Sequence, residues 1–417
     1  MRRNSGTGER AVELHQGETP GPIRPLSSSR RLSYTGRVKQ LANSTVRRLA
    51  LRRQFPDELP GGAAGVSALV ERLGYLQLDT IRVVGRAQHF VLWNRLPGYE
   101  RRHLREAAYD SGALFEYYGH AAGYLPLSDY RYYVPAMRSF PWGGWWKRRA
   151  AELHPVMERV RTRIEHEGPL ASRDFKEAPR EASGGWGSWK VAKYALTHLW
   201  LAGELMIVNR DGFERVFELT ERVLPKDVDR RPPTDGELGR FLVRRALGGL
   251  GAATERDLHW YLTVYRSRAL PLDELVCAGE IVEVQVDGTV HYTRPEFLDD
   301  LPIEPPTPRL RIVNPFDGLV INRQRLERLF GFRYALECYK KADQREFGYY
   351  TLPLLWGERF IGRLDAKAER KRQTLVLRGL WWEDDAPDRA ELRDELAAEL
   401  ERLARFNDCT RIEDRHA

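Results

Sequence analysis

The run SWKVAKYALTHLWLAGELMIVNRDGFERVFEL, residues 188–219, indicates most about the fold. Its first part has the apolar spacing of an amphipathic helix, which Gly203 ends. Two apolar-rich segments follow, and the Asp211-Gly212 dipeptide between them predicts a tight hairpin turn. A short helix is expected just before this run, at Ser172–Phe175. Helix, helix, strand, turn and strand is the order of a winged helix-turn-helix unit.

The same order recurs along the chain. Helices are expected at Asp235–Leu247, Ala253–Tyr261 and Pro271–Ala278, and the Asp287-Gly288 turn joins two further strands. Two more helices are expected before Leu76. We therefore predict winged-helix units at residues 169–230 and 231–300, and residues 41–168, which include a long connecting helix, are the candidate for a third and first-placed unit.

The chain changes character after a linker that holds Pro302, Pro305, Pro306 and Pro308. Alternating segments at residues 334–339, 348–355, 360–367 and 374–381 are typical of antiparallel strands. A closing helix is expected at Asp388–Arg405. The predicted fold class is therefore α+β, with tandem winged helix-turn-helix units followed by a small C-terminal β-barrel and closing helix at residues 308–417.

The 417-residue chain has a formal net charge of +8, concentrated at its start. Residues 1–50 hold ten Lys and Arg residues against three acidic ones. Residues 1–40 are rich in Gly, Pro, Ser and Arg without periodicity, which predicts a disordered basic arm. Such an arm is typical of nucleic-acid-binding proteins, although a solvated tail without a partner has the same composition.

Several classes of protein are excluded. No run approaches about 18 consecutive apolar residues, so we expect no membrane span, and the first residues lack the apolar stretch of a secretory signal. Cys277, Cys338 and Cys409 lie far apart, which excludes a disulfide scaffold and suits the reducing cytoplasm. Walker, HExxH and GxSxG motifs are absent, so no common catalytic or metal-binding signature is present.

Five stretches occur in an order that a known family shares. They are YLQLDTIRVVGRAQHFVLWNRLPGY at residues 75–99, LFEYYGHAAGYLP at 114–126, RDGFERVFELTERVLP at 210–225, NPFDGLVINRQRLERLFGF at 314–332 and FGYYTLPLLWGERFIGRLDAKAER at 347–370. In this combination the chain resembles the YcaQ/AlkZ-type family of winged-helix DNA glycosylases. The resemblance covers residues 43–383, so the basic arm lies outside it.

The resemblance implies a monofunctional glycosylase of base-excision repair that removes alkylated bases, including bulky N7-purine adducts and interstrand crosslinks. The family's active site is a Gln-x-Asp or Gln-x-Gln motif, and Gln77-Leu78-Asp79 is the Gln-x-Asp form of the YcaQ branch. No metal or organic cofactor is implied. The implied partner is double-stranded DNA carrying alkylated purines or crosslinks, with no membrane. We expect a monomer in the cytoplasm, associated with the nucleoid.

These residue types suit that chemistry. Loss of a base leaves oxocarbenium character on the sugar, which an ionised Asp79 can stabilise while it activates water. In an extended segment Gln77 faces the same way, and its amide can hold the water by donating and accepting hydrogen bonds. The alternative is that Gln77 and Asp79 cap a helix that begins near Ile81.

Seven further side chains are candidates for DNA contact: Arg82, Arg86, His89, His120, Lys190, Lys193 and Arg210. Arg82 and Arg86 share a face if residues 81–93 are helical, Lys190 and Lys193 lie on the expected recognition helix, and Arg210 lies at a wing tip. Solvated faces are the alternative for the basic residues. His120 matches the family's histidine and either lines the cleft or bonds in the core. His89 follows Gln88, where family members often carry another histidine.

Two interpretations without catalysis stay open. A transcriptional regulator built from winged helices would bind one DNA sequence tightly and ignore damage. A structural DNA-binding protein would bind all sequences weakly, and its affinity would fall steeply with salt. A glycosylase, in contrast, would prefer lesions over sequence.

Overall fold

The structure, a computed structural model, describes residues 39–141, 143–175, 188–299 and 301–415. It is a mixed α+β fold, as the sequence predicts. The predicted arm lies outside the described residues up to residue 38. Over the described part of the chain, no helix is both long and apolar enough to cross a membrane.

The first region surrounds a three-stranded sheet with the order β2-β4-β3. Its helices and strands are β1 (Lys39–Gln40), α1 (Asn43–Gln54), α2 (Gly62–Leu73), β2 (Leu76–Gln77), α3 (Ala87–Arg95), α4 (Arg101–Arg105), β3 (Leu114–Tyr118), β4 (Ala122–Pro126), α5 (Tyr130–Arg138) and α6 (Gly144–Glu167). Gly74, with a φ of +78°, ends α2 and directs the chain into the edge strand β2.

The second region has the predicted helix and hairpin, in a sheet of order β5-β7-β6. Its elements are β5 (Leu170–Ala171), α7 (Ser188–Leu201), β6 (Leu205–Asp211), β7 (Glu214–Leu219) and α8 (Thr220–Val223). The buried faces of α6, α7 and this hairpin share one hydrophobic core with α9 and the helices that follow it, described next. The second and third regions therefore pack against each other and share a core.

The third region contains the second predicted hairpin. Its elements are α9 (Asp235–Leu250), β8 (Ala252–Ala253), α10 (Glu255–Tyr261), α11 (Leu272–Cys277), β9 (Val282–Val286) and β10 (Thr289–Thr293). Thr234 and Glu237 form a capping box that starts α9. Asp287 and Gly288 both have positive φ, as a two-residue hairpin turn requires.

The predicted boundary between the arm and the first unit, at residue 41, falls within a segment that packs on the third region. Strand β1 pairs in parallel with β9, with Lys39 opposite Val284, so two residues that were assigned to the arm form a strand. Helix α1 buries Val46 and Leu49 in a cluster that includes Ala252 and Val284. The start of the described chain thus packs on the third region, through contacts that local sequence does not reveal.

The C-terminal region is a half-barrel sheet where the sequence predicted a small β-barrel. Its elements are β11 (Leu310–Ile312), α12 (Arg323–Phe330), β12 (Thr351–Trp356), β13 (Arg359–Glu369), β14 (Thr374–Trp382), α13 (Arg389–Phe406) and β15 (Arg411–Asp414). The strand order runs from β11 to β15 in sequence, and within the described residues these two edge strands do not pair. Residues 334–339, predicted as a strand, form an irregular segment.

The segment between β2 and α3 joins the first region to this sheet. Val84 is buried in the same hydrophobic cluster as Tyr350 and Leu352, and Ile81 and Val83 pack against it. The Ala368 N–H donates to the Val83 carbonyl at 3.1 Å. Residues 77–80 therefore lie where the two regions meet.

Candidate active site

Gln77 is the last residue of edge strand β2. It pairs with Gly123 of β4, and the Leu78 N–H continues the ladder by donating to the Ala122 carbonyl at 2.8 Å. Gln77 is 9% exposed, and its buried Oε1 accepts no hydrogen bond from the described residues. Gly123, opposite Gln77, lets β4 lie close against β2, because a Cβ there would be only 2.7 Å from the Leu76 carbonyl oxygen. The amide thus presents an acceptor to a small ligand such as water.

Asp79 lies two residues further on, in a segment without regular structure. Its Oδ1 accepts a hydrogen bond from the Ile81 N–H at 2.7 Å, which is a local turn around the side chain. Helix α3 begins only at Ala87, so Asp79 does not cap a helix as the alternative required. The Asp79 N–H donates to Oε1 of the buried Gln88 at 3.4 Å.

The carboxyl of Asp79 is electrostatically unusual. Burial raises its pKa from 3.8 to about 6, while the Ile81 N–H and the charge of Arg86 act more weakly in the opposite direction. The charge of Asp79 in turn adds to burial in raising the pKa of the Cys338 thiol and of the Tyr350 hydroxyl. Asp79 is therefore ionised above pH 6 and still basic enough to accept a proton from water.

The two histidines predicted to contact DNA are half-buried, and their surroundings favour the neutral ring. His120 lies between β3 and β4, its Nδ1 donates to the Trp260 carbonyl at 3.1 Å, and its ring stacks on Tyr75 with centroids 5.8 Å apart. Burial lowers the pKa of His120 to about 4 and that of His89 to about 3. His89 Nδ1 bonds the Tyr99 hydroxyl at 2.7 Å. With lowered pKa values and partners within the protein, neither ring offers a charge for phosphate.

Arg82 and Arg86 do not share a helical face, because residues 81–86 are irregular. Arg82 is exposed. Arg86 donates to the Thr80 carbonyl at 3.1 Å and lies over the Phe213 ring, 4.0 Å from its centroid. The turn of the β6–β7 hairpin therefore packs against the active-site segment through Phe213.

Arg210 is directed inward from the hairpin rather than outward from its tip. Its Nε and Nη2 donate to the two carboxylate oxygens of Glu116 at 2.7 and 2.6 Å, and its Nη1 donates to the Phe213 carbonyl at 2.8 Å. Both side chains are buried. Their charges are paired within the protein, so the predicted phosphate contact is corrected to a structural ion pair.

The two lysines of α7 differ in what can be described. Lys193 is exposed on the helix. Lys190 lies in the first turn of α7, and its side chain falls outside the described residues. The expectation that both contact DNA therefore stays a prediction.

The family model for AlkZ-like DNA glycosylases matches residues 70–406, which include Gln77 and Asp79. The chain belongs to the AlkZ-like DNA glycosylase family. The glycosylase also has a fold similar to that of Streptomyces sahachiroi DNA glycosylase AlkZ, with a TM-score of 0.59 and 18% identity over 91% of this chain and 100% of that one. At this identity the structural likeness concerns the fold alone. The predicted family and enzyme class, a DNA glycosylase of DNA repair, are confirmed.

The glycosylase has further residues near the motif that the sequence did not single out. The Gln88 side chain accepts a hydrogen bond from the Asp79 N–H. Family members often carry a histidine at this position, and that difference was the signal that could have identified Gln88. Arg370 donates to Asn407 Oδ1 at 2.8 Å, and its pKa is lowered by burial and then by the charges of Arg82 and Arg101. Three arginines thus meet beside the active-site segment. No local signal connects residue 370 to residue 82.

Two further buried aspartates, Asp317 and Asp365, lie in the C-terminal region and have different environments. Asp317 forms a buried, two-bond ion pair with Arg95 at 2.7 and 2.8 Å. Asp365 is buried on β13 with its Oδ1 unbonded by the described residues, and burial raises its pKa to about 6. Across the parts of the chain that the structure describes, no group of three or more His, Cys, Asp or Glu side chains could hold a metal ion.

Proposed function

We propose that this enzyme is a monofunctional DNA glycosylase that hydrolyses the N-glycosidic bond of N7-alkylated purines, with Gln77 and Asp79 as its catalytic residues. The observation that carries the proposal is the pairing of two unusual polar groups on one short segment. Gln77 offers a buried oxygen without a partner, and Asp79 is a carboxyl whose pKa is raised to about 6.

The substrate does part of the chemistry. Alkylation at N7 makes the purine cationic and a good leaving group, so its departure needs no general acid. As the bond breaks, positive charge grows on the sugar, and the Asp79 carboxylate stabilises it across a site of low polarity. The same carboxylate takes one proton from the attacking water, while the other O–H of that water donates a hydrogen bond to Gln77 Oε1 and stays on the product hydroxyl. Neither step uses a lysine nucleophile, so strand cleavage is not expected.

Contacts to double-stranded DNA are assigned to the regions around this segment. The helix and hairpin pairs, α7 with β6–β7 and the α9–α11 helices with β9–β10, are interpreted as tandem winged-helix units. Exposed Arg82, with Arg86 and Arg370 nearby, supports phosphate contact beside the motif, and Lys190 and Lys193 extend that surface along α7. The Gln-x-Asp form supports a broad range of lesions, including bulky adducts and crosslinks. The proposed enzyme acts as a monomer on nucleoid DNA in the cytoplasm.

The direct test is incubation with a duplex that contains one N7-methylguanine, followed by alkali to cleave at abasic sites. We expect alkali-dependent cleavage at the modified guanine, no cleavage before alkali, and no cleavage of the unmodified duplex of the same sequence. Tight binding to one DNA sequence without base release would contradict the proposal and indicate a regulator. Strand cleavage before alkali would contradict monofunctional chemistry.

A further inference from the structure

The loop between α12 and β12, residues 331–350, exposes aromatic side chains. Among the described residues, the exposed large hydrophobic side chains are Tyr339 at 76%, Tyr349 at 38% and Ile412 at 39%. The first two lie in this loop, whereas Ile412 is on β15. One exposed aromatic is ordinary on a protein surface, so its surroundings decide whether it has a function.

The loop is held in place by its own hydrogen bonds. The buried carboxylate of Glu337 accepts from Lys340 Nζ at 2.7 Å and from the N–H groups of Phe347 and Gly348 at 2.8 and 3.3 Å, which ties the two ends together. Arg345 donates twice to the Lys340 carbonyl, at 3.1 and 2.9 Å. Tyr339 therefore projects from an ordered loop, and binding through it costs little conformational entropy.

The same loop lies beside the active-site segment. Leu336, Ile81 and Val83 all pack against the hydrophobic cluster that contains Tyr350. The charge of Asp79 reaches the Cys338 thiol, next to Tyr339 in sequence. Lys340 and Lys341, both exposed, follow directly. Lys340 is paired with Glu337, so Lys341 supplies the adjacent cation. An exposed aromatic with a cation beside the proposed catalytic segment is the arrangement of a base-stacking contact.

We propose that Tyr339 stacks on a DNA base next to the lesion and holds the duplex open while the damaged nucleotide occupies the site at Gln77 and Asp79. This inference rests on the proposed function. An N-glycosidic bond inside a duplex is hidden in the base stack, so the enzyme must compensate for the stacking that it disrupts. A tyrosine ring does so without sequence preference, because every base has a π-face.

The test compares Tyr339→Ala, Tyr339→Phe and the control Ile412→Ala, each in the full chain. Affinity for the N7-methylguanine duplex is measured in the Asp79→Asn background, and excision is measured with Asp79 intact. We expect Tyr339→Ala to weaken binding about tenfold, the scale of one lost base–aromatic stack, while Tyr339→Phe and Ile412→Ala bind as the parent does. Thermal unfolding of the variants checks that the fold is unchanged.

A fluorescent base reports the stacking itself. With 2-aminopurine placed beside the lesion, its emission should be lower in complex with the parent than with Tyr339→Ala. Equal affinity and equal emission for these two proteins would overturn the inference, even when the parent excises the lesion. A parent that releases no base would instead refute the proposed function, so the two failures are distinguishable.

Discussion

The raised pKa of Asp79 predicts how the excision rate depends on pH. Because the carboxyl must be ionised to accept a proton, the single-turnover excision rate should rise with pH through about 6 and then level off. The sign follows from the shift: a carboxyl with an ordinary pKa of 3.8 would be fully active well below that pH. The measurement is a rate profile at constant ionic strength, corrected for spontaneous depurination. A flat profile through pH 6 would exclude Asp79 as the base.

Gln77 and Asp79 are proposed to act on one water molecule, which makes their substitutions interdependent. Gln77→Ala should lower the excision rate, because the water loses its acceptor while the carboxylate remains. In the double variant with Asp79→Asn the losses should not multiply, since both residues serve the same step. Rate constants for the two single variants and the double variant decide this. Fully multiplicative losses would argue against a shared water.

At the scale of elements, the pairing of β2 with β4 positions the motif. A Cβ added at Gly123 would lie 2.7 Å from the Leu76 carbonyl oxygen and 3.4 Å from Gln77 Cα, so Gly123→Ala should push β2 away from β4. We expect slower excision and a lower Tm although both catalytic side chains are present. Gly236→Ala is the matched control, because a Cβ there meets no atom within 4 Å. Equal excision by both variants would contradict the positioning role of this strand pair.

Local patterns predict the elements well where their signals are local. Helices α6 and α9 and the β9–β10 hairpin appear close to their expected positions, because periodicity, caps and the Asp287-Gly288 turn are all encoded nearby. The expected helix at residues 81–93 begins only at Ala87, since residues 81–84 pack on a sheet whose Ala368 lies 285 residues further along the chain. Such contacts have no local signature.

In the candidate site, too, features with a local sequence signal differ from features that depend on distant contacts. The Gln-x-Asp motif was selected from the sequence around it, and its catalytic role stays a prediction, although the family match spans residues 77–79. The inward direction of Arg210 could not be predicted from local sequence, because its partner Glu116 lies on β3, 94 residues earlier. The arginine cluster of Arg82, Arg101 and Arg370 likewise depends on the approach of two distant segments.

At the scale of the whole molecule, the positive charge of the arm is separate from the proposed chemistry. Deleting residues 1–38 removes seven arginines and three glutamates but keeps β1, which pairs with β9. If the arm lies along phosphates, truncation should weaken binding to all duplexes alike and reduce the slope of log affinity against log salt by about 0.9 for each lost contact. Excision at saturating enzyme should be unchanged. An unchanged salt slope would show that the arm does not bind DNA.

The most direct test of the catalytic assignment is the single-turnover excision rate of Asp79→Asn on the N7-methylguanine duplex, with Asp365→Asn as the control. Both carboxyls have a pKa raised to about 6 by burial, but only Asp79 belongs to the motif. We predict that Asp79→Asn binds the duplex as the parent does and excises on the order of a hundredfold more slowly, while Asp365→Asn keeps the parent rate. The variant should fold normally, because the substitution removes a charge that burial disfavours. Parent-like excision by a folded Asp79→Asn protein would contradict the account.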